Sequence, residues 1–203
     1  MQFDREKMRA VILHACHSCK PEELGAVKLH KVFYFLDMIG YAHTRSPVTG
    51  ATYRKRPNGP TAEQLLSTLR DMARNGDILI RDVDYHGYIK KEYVAQTALP
   101  AGVLNDQELS LLDDVIDFVC RKNTAKRISD ISHMLPWELA DMGDIIPYHT
   151  AMLLFPSEPT PEAFEISEQG IGEIAAARSS KQAVAMPLLS DFRSGLRSAA
   201  GQA

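Results

Sequence analysis

Residues 24–42 read LGAVKLHKVFYFLDMIGYA, and this stretch decides the fold. Between Val32 and Ile39 the segment is apolar on nearly every side of a helix. A surface helix carries a single apolar stripe, whereas a helix that is apolar all round is buried. The stretch therefore predicts a central helix that other elements surround, and Gly40 marks a stop near its end.

One acidic residue, Asp37, interrupts this apolar run. A buried carboxylate is costly unless it is paired, so a partner is expected. We expect Arg54, Lys55 or Arg56, three consecutive cations in the following loop, to reach Asp37 and pin that loop. The alternative is that Asp37 is a polar anchor for a ligand.

Hydrophobic spacing and turn residues predict the other elements. Apolar positions at helical spacing favour a first helix over residues 4–19 and a third that Pro60 and Thr61 open. Alternating apolar residues on either side of the DYHG turn, within residues 77–96, predict a β-hairpin. Asn105, with Glu108 three positions later, predicts a capped fourth helix. Short helices are expected from residue 124 onward.

These elements predict an α+β fold. The expected architecture is a mostly helical single domain, with a small antiparallel β-hairpin or three-stranded sheet packed on the central buried helix. The domain is expected to span residues 1–155. Residues 156–203 read as an acidic C-terminal extension, partly helical and loosely ordered at its end, because residues 156–177 hold five Glu and no Lys or Arg.

Composition limits the classes of function. The chain has 203 residues, a formal net charge of −3 and a pI near 6.2, so no global positive field drives nonspecific nucleic-acid binding. No window approaches 18 apolar residues, so no membrane span is expected. Three cysteines without a spaced framework indicate a reduced protein, and we expect a cytoplasmic location.

The segment HACHSC, residues 14–19, is the best candidate for a metal or catalytic site. Cys16 and Cys19 have a Cys-x-x-Cys spacing, but a structural zinc needs four ligands and Cys120 is the only other thiol. Both cysteines fall on or near the apolar stripe of their helix, which favours core packing. The common catalytic motifs are absent from the sequence. We therefore predict no enzyme, no metal and no cofactor, with a small Cys-dependent or metal-assisted enzyme as the alternative.

The loop ATYRKRPNGPT, residues 51–61, is the strongest candidate for binding. Six Lys or Arg and one acidic residue lie between Ala26 and Arg56, interleaved with tyrosines. Arg and Tyr often anchor protein interfaces. Pro57 and Pro60 stiffen the loop, and Gly59 lets backbone approach closely. The alternative is a solvated connector.

The stretch VKLHKVFYFLDMIGYAHTRSPVTGATYRKRPNGPTAEQL resembles the signature of the Panacea domain, in which a Lys-Leu-x-Lys helix rich in Tyr and Phe leads to a Thr-Gly-x-x-Tyr turn and a Gly-Pro. A later stretch, LNDQELSLLDDVIDFV…ISDISHMLPWELADMGDIIPY, is similar to the second half of that family. The resemblance covers about residues 6–154. The matching residues are Leu29, Lys31, Tyr34, Thr49, Gly50, Tyr53, Pro57, Gly59, Pro60, His133, Trp137, Ile146, Pro147 and Tyr148.

The family is similar to antitoxins of bacterial and phage toxin–antitoxin pairs, including the SocA type. The resemblance implies a non-enzymatic protein that neutralises a cognate toxin by binding it. We expect Arg54, Lys55 and Arg56 to meet acidic groups on the toxin, with Tyr53 and Trp137 as apolar anchors. The predicted partner-binding residues are Lys31, Tyr34, Arg45, Tyr53, Arg54, Lys55, Arg56, Pro57, Asn58, Gly59, Pro60, His133 and Trp137, with Asp37 and Gly50 as structural support.

Two other functions stay open from the sequence. AKRISDISHMLPWELA, residues 125–140, could be a helix-turn-helix of a DNA-binding regulator, although its acidic residues do not suit base recognition, so DNA is not expected as the primary partner. An adaptor that presents a bound protein to a protease is the other alternative. Self-association of the chain is left open.

Overall fold

The computed structural model describes residues 2–85 and 87–154, with a few isolated positions between 165 and 176. The chain divides into two compact units, Met1–Pro156 and Ser157–Ala203. The first unit has the predicted α+β, mostly helical architecture. The predictions made for the acidic extension fall outside the described residues.

Within the described residues, six α-helices and two antiparallel β-ribbons form the first unit. None of the helices in this part of the chain has the length and hydropathy that a membrane-crossing segment needs. The elements are α1 Arg5–Ser18, α2 Ala26–Thr44, β1 Tyr53–Arg54, β2 Thr61–Ala62, α3 Leu65–Arg74, β3 Ile78–Tyr85, β4 Tyr88–Ala95, α4 Asp106–Ile116, a π-helical turn Asp117–Arg121, α5 Ala125–Ile131, α6 Leu135–Glu138 and a 3-10 helix Tyr148–Leu153.

The helix α2 is the centre of the core, as its all-round apolar sequence predicts. It contacts α4, α5, β2, the π-helical turn and the 3-10 helix, so little of its middle faces water. A fully buried Val, Leu, Ile, Phe or Met side chain contributes about 1.5–3 kcal/mol. The buried side chains of its central turns are Leu29, Val32, Phe33, Tyr34, Phe35, Leu36 and Met38.

The predicted hairpin is present. Strands β3 and β4 pair antiparallel from Ile78 opposite Ala95 to Tyr85 opposite Tyr88. Near the base of the hairpin Ile78 and Tyr93 are buried, and β4 packs against α1. The tip, in contrast, projects into solvent.

The start of the third helix differs from the prediction, which placed it at Pro60 and Thr61. Thr61 and Ala62 form β2, which pairs with β1, and α3 begins only at Leu65. The backbone groups that a helix would have satisfied internally are used across the ribbon: the Glu63 amide donates to the Thr52 carbonyl at 2.9 Å. This pairing between two strands of the same chain prevails over the preference of proline for a first helical turn.

The ribbon formed by β1 and β2 gains a partial third strand. Ile145 forms one antiparallel bridge to Arg54, and the Ile146 amide donates to the Tyr53 carbonyl at 2.8 Å. The two ribbons remain separate, so the structure has no single three-stranded sheet within its described residues. The capping box of α4 is confirmed, with the Asn105 side chain accepting from the Glu108 amide at 2.9 Å.

Candidate functional site

The basic loop, residues 54–60, reverses the chain between β1 and β2. Its tip, Arg56, Pro57 and Asn58, is exposed, whereas Gly59 and Pro60 are buried. A loop with no interior partners would be a flexible connector. Here the backbone of the tip is held from three sides by side chains of α2, α5 and α6.

The first support of the loop is Lys31, which reaches it from α2. Its side chain is buried, with 1% exposure, and its Nζ donates to the carbonyls of Asn58 at 2.8 Å and Pro60 at 3.2 Å. No carboxylate pairs with it among the described residues. Because burial penalises the charged form, it lowers the pKa of Lys31 to about 7. Lys31 therefore supports the loop and offers no surface to a partner.

Gly59 makes this close approach feasible. Its φ is +94°, a backbone conformation that residues other than glycine rarely adopt. A Cβ at this position would come within 3.0 Å of Lys31 Nζ and of Ser132 Oγ. The group that approaches the Gly59 backbone closely in this structure is Lys31 of the same chain.

The other two supports come from α5 and α6. Ser129 Oγ donates to the Asn58 carbonyl at 2.9 Å. Trp137 Nε1 donates to the Arg56 carbonyl at 3.1 Å, and the His133 ring stacks on the indole with ring centroids 4.0 Å apart. Trp137 therefore fixes the loop through its polar edge, while part of its ring remains exposed.

Two of the three consecutive cations are already engaged within the chain. Arg54 pairs with Glu63 and donates to the Gly143 carbonyl at 2.9 Å. Lys55 Nζ lies 4.1 Å from the centroid of the Trp137 ring and donates to the Ala140 carbonyl at 2.9 Å. Arg56 alone among these three makes no ion pair, side-chain hydrogen bond or cation–π contact with a residue that the structure describes.

The prediction that this triplet pairs with Asp37 is wrong. The buried Asp37 carboxyl is surrounded by hydroxyl and amide groups instead. Its Oδ1 accepts from the Thr49 amide at 2.6 Å, and Oδ2 lies 2.5 Å from Thr49 Oγ1, 2.8 Å from Tyr53 Oη and 3.1 Å from Tyr148 Oη. Neutral donors satisfy the group without bringing a second charge into the core, which avoids a second desolvation penalty.

Burial raises the pKa of Asp37, and the four hydrogen bonds around it oppose that shift only in part. The geometry is consistent with a neutral acid, because each tyrosine hydroxyl has another acceptor. Tyr53 Oη lies 2.8 Å from the Phe33 carbonyl, and Tyr148 Oη lies 2.6 Å from the Ala51 carbonyl. The two tyrosines can donate to these carbonyls while protonated Asp37 donates to a tyrosine oxygen.

Three other predicted partner-binding residues lie outside the exposed surface of the basic loop. Tyr34 and Tyr53 have 0% and 1% exposure, so the prediction that Tyr53 anchors a partner is wrong in this structure. Arg45 lies 14 residues after Lys31, which is roughly 20 Å along α2 at about 1.5 Å per residue. It contacts Met152 there, away from the basic loop.

Gly50 lies in a tightly packed turn next to Thr49. Its φ is +67°, and a Cβ there would come within 3.0 Å of the Gln2 carbonyl oxygen. The neighbouring Thr49 carbonyl accepts from the Asp4 amide at 2.8 Å. The turn that carries Asp37's main partner is therefore packed directly against the start of α1.

Two clefts flank the exposed tip of the basic loop. One, of about 220 Å³, lies between the tip and α2 and is lined by Val27, His30, Lys31 and Pro57 among others. The second, of about 370 Å³, lies between the tip and α5 and includes Val27, Pro57 and His133. Burial, and then the nearby Lys31, lowers the pKa of His30 to about 4, so this ring is neutral near pH 7.

The HACHSC segment packs as predicted for a core. Cys16, Cys19 and Cys120 are buried, and burial raises the pKa of Cys16 to about 12. His14 contacts Asp113 at 2.6 Å, and His17 contacts the Thr97 carbonyl at 2.9 Å. In residues 2–85 and 87–154 no group of three or more His, Cys, Asp or Glu could hold a metal ion.

Sequence reasoning missed three residues of the site. Thr49 and Tyr148 complete the shell of Asp37, and Ser129 holds the loop tip. Tyr148 could have been suspected, because it closes the Ile-Pro-Tyr segment of the resemblance, but its contact spans 111 positions of sequence. Ser129 gives no local signal.

A comparison with protein families matches residues 29–138 to the model described as "Antitoxin SocA-like, Panacea domain". The matched region is more than half of the chain, and it contains Lys31, Asp37, the whole basic loop, His133 and Trp137. The resemblance identified in the sequence is thereby confirmed. No curated protein and no solved structure matches the chain.

Proposed function

The chain belongs to the SocA-like antitoxins with a Panacea domain, and from this membership we propose that it neutralises a cognate protein toxin by binding it directly, without catalysis. The observation that carries the proposal is the rigid exposed tip of the basic loop. Its backbone carbonyls are held by Lys31, Ser129 and Trp137, so only its outer side chains are left to meet a partner.

Rigidity matters because binding orders flexible groups at a cost of about 0.5–1.5 kcal/mol for each immobilised side chain. A tip that is already fixed in the free protein avoids much of this cost. The inner residues of the predicted set, namely Lys31, Tyr34, Tyr53, Gly59 and Pro60, act in this proposal by preorganising the loop. The outer residues Arg56, Pro57 and Asn58 form the contact surface, with the exposed parts of His133 and Trp137 beside them.

Arg56 is the residue we propose to meet an acidic group on the toxin. Arg is enriched among interface residues that dominate binding energy, and an exposed cation also speeds encounter with an acidic partner. Arg54 and Lys55 make intramolecular contacts whose loss would disturb the loop itself. A charge reversal at Arg56 is therefore the cleanest test of the surface.

DNA binding through a helix-turn-helix is disfavoured by the lengths of the helices. The segment at 125–140 forms α5 with seven residues and α6 with four. Four residues make about one turn, which is too short to lie in a major groove and present several side chains to bases. The Trp137 side chain of α6 is moreover bonded to the basic loop.

The experiment is co-expression with the product of the adjacent gene, under separate inducible promoters, followed by titration of the two purified proteins. We expect growth rescue and a direct complex. Arg56→Glu should raise Kd at least about tenfold with unchanged Tm, because a residue that dominates an interface contributes about 2 kcal/mol or more and tenfold in Kd is about 1.4 kcal/mol.

Arg70→Glu is the matched control, since Arg70 is an exposed cation of α3 that lines neither cleft beside the loop. Rescue without any measurable complex would refute neutralisation by direct binding. Equal affinity of the Arg56→Glu and Arg70→Glu variants would remove the basic loop from the interface.

A further inference from the structure

A third cleft extends the two that flank the basic loop. It has a volume of about 610 Å³ and lies between the start of α2, the start of α5 and the tip of the β3–β4 hairpin. Val27 lines all three clefts, Ala26 lines two of them and Ala125 lines two. The three clefts are therefore one continuous depression, the α2 groove, which runs from the basic loop across Val27 to the hairpin tip.

The hairpin end of the α2 groove carries large exposed apolar side chains beside the charged residues Glu22, Glu23 and Lys28. Tyr88 and Ile89 have 78% and 79% exposure, and Ile89 lines the groove directly. The strands are anchored beside α2, because Lys90 Nζ donates to the Glu22 carbonyl at 2.5 Å. Neighbouring apolar side chains that are exposed together often mark an interaction site.

The two ends of the groove differ in charge. At the hairpin end, Lys90 pairs with Glu92 and Lys91 pairs with Asp82, so those cations are neutralised within the chain. At the basic-loop end, Arg56 and Lys126 are exposed, and neither forms an ion pair with a residue in the described part of the chain. Asp130 is the one acidic residue that lines the groove near them.

We propose that the α2 groove receives an amphipathic segment of the toxin, whose apolar side chains contact Ile89 and Tyr88 and whose acidic side chains meet Arg56 and Lys126. This inference rests on the proposed function and extends its interface from the loop tip to the hairpin. The apolar floor of Ala26, Val27 and Ala125 accommodates the segment between the two ends. The partner is a protein segment because the groove is open along its length and bordered by exposed large side chains.

The test uses the full chain and the adjacent-gene toxin, titrated by calorimetry. The double variant Tyr88→Ser, Ile89→Ser should raise Kd at least about tenfold and leave Tm unchanged, because both side chains are mainly exposed. Leu79→Ser is the matched control: it removes an exposed leucine of the same hairpin, 42% exposed, six residues from Tyr85 and thus roughly 20 Å away along the strand.

A second arm tests the acidic half of the segment. Lys126→Glu should weaken binding, and Arg70→Glu should not. A photo-crosslinking amino acid at position 89 should attach to one toxin peptide. Replacing Asp or Glu residues of that peptide by Asn or Gln should lower the affinity for the wild-type chain but not for Lys126→Glu, where the replacement removes a repulsion.

The outcomes separate the two proposals. A wild-type complex whose affinity is unaffected by Tyr88→Ser, Ile89→Ser overturns the groove inference and leaves toxin binding in place. Equal weakening by the double variant and by Leu79→Ser also overturns it, because the effect would then lie in the hairpin as a whole. Failure of the wild-type chain to bind the toxin overturns the proposed function, and the groove inference with it.

Discussion

Replacing Asp37 tests the buried hydrogen bonds that join α2 to the turn at Thr49, because two substitutions there should destabilise the fold to different extents. Asp37→Asn keeps the shape of the side chain and resembles the neutral acid. Its Oδ1 can still accept from the Thr49 amide, and its amide can donate to the oxygens of Tyr53 and Tyr148, which in turn reach the carbonyls of Phe33 and Ala51. Asp37→Ala removes the carboxyl group and all four of its hydrogen bonds.

The magnitudes follow from counting the groups left without partners. In Asp37→Ala the buried Thr49 amide loses its acceptor, and the Thr49 hydroxyl loses its acceptor too. Each unsatisfied buried group costs about 1–3 kcal/mol, partly offset because a desolvated carboxyl is no longer buried. We expect a net loss of about 2–4 kcal/mol, or a Tm lower by roughly 5–15 °C. Asp37→Asn leaves only the Thr49 hydroxyl without an acceptor, because Nδ2 in place of Oδ2 cannot accept, so it should cost about 1 kcal/mol and less than Asp37→Ala.

The pH dependence has a definite sign. Because the folded pKa of Asp37 is raised, the folded state keeps a proton that the unfolded state releases once the pH exceeds about 3.8. The contribution of Asp37 to wild-type stability should therefore fall as pH rises above that value, and Asp37→Asn should lack this fall. Urea unfolding of both proteins between pH 4 and 8 measures the difference.

Two results would refute this account of Asp37. If the wild type gained stability over Asp37→Asn as pH rose above 4, the native carboxyl would be ionised and its hydrogen bonds would dominate its burial. If Asp37→Ala were as stable as Asp37→Asn, the shell around residue 37 would not depend on a polar hub.

Three further predictions concern the support of the basic loop. Because burial lowers the pKa of Lys31, the unfolded state binds more protons than the folded state between about pH 7 and 10. The free energy of unfolding of the wild type should therefore rise with pH by up to about 1.4 kcal/mol per pH unit. Urea unfolding of Lys31→Met should lack this rise. Gly59→Ala should lose about 1–3 kcal/mol by thermal unfolding, because its φ of +94° and its contact with Lys31 exclude a Cβ. The control Gly76→Ala also has a positive φ, +79°, but no atom lies within 4 Å of the added Cβ, so it should lose less. Trp137→Phe should cost about 0.5–1.5 kcal/mol and speed hydrogen exchange of the Gly59 amide, which donates to the same Arg56 carbonyl; unchanged exchange would mean that the indole does not hold the loop.

The sequence predicted the elements whose signals are local. The all-round apolar run of α2, the alternation in β3 and β4 and the Asn105–Glu108 cap each depend on residues within a few positions of one another, so periodicity and capping chemistry suffice. The partners of Asp37 could not be predicted in this way. Tyr148 is 111 positions away in sequence, and the nearest cations offered an ion pair that the fold does not form. The third helix was placed too early because the pairing of Thr61 with Arg54 depends on the shape of the whole loop.

The same reasoning explains why the burial of five of the thirteen predicted binding residues is compatible with a binding loop. The groups that fix the loop act on its backbone carbonyls, at Arg56, Asn58 and Pro60, and they do not depend on which side chains project from the tip. Side chains at positions 56–58 can therefore change without loss of the interior contacts, so stability and partner choice are set by different atoms. It follows that substitutions at Asn58 should alter toxin affinity with little effect on Tm, whereas substitutions at Lys31 or Gly59 should alter both. A variant at Asn58 that unfolded the chain would show that the tip side chain, and not the buried frame, holds the loop.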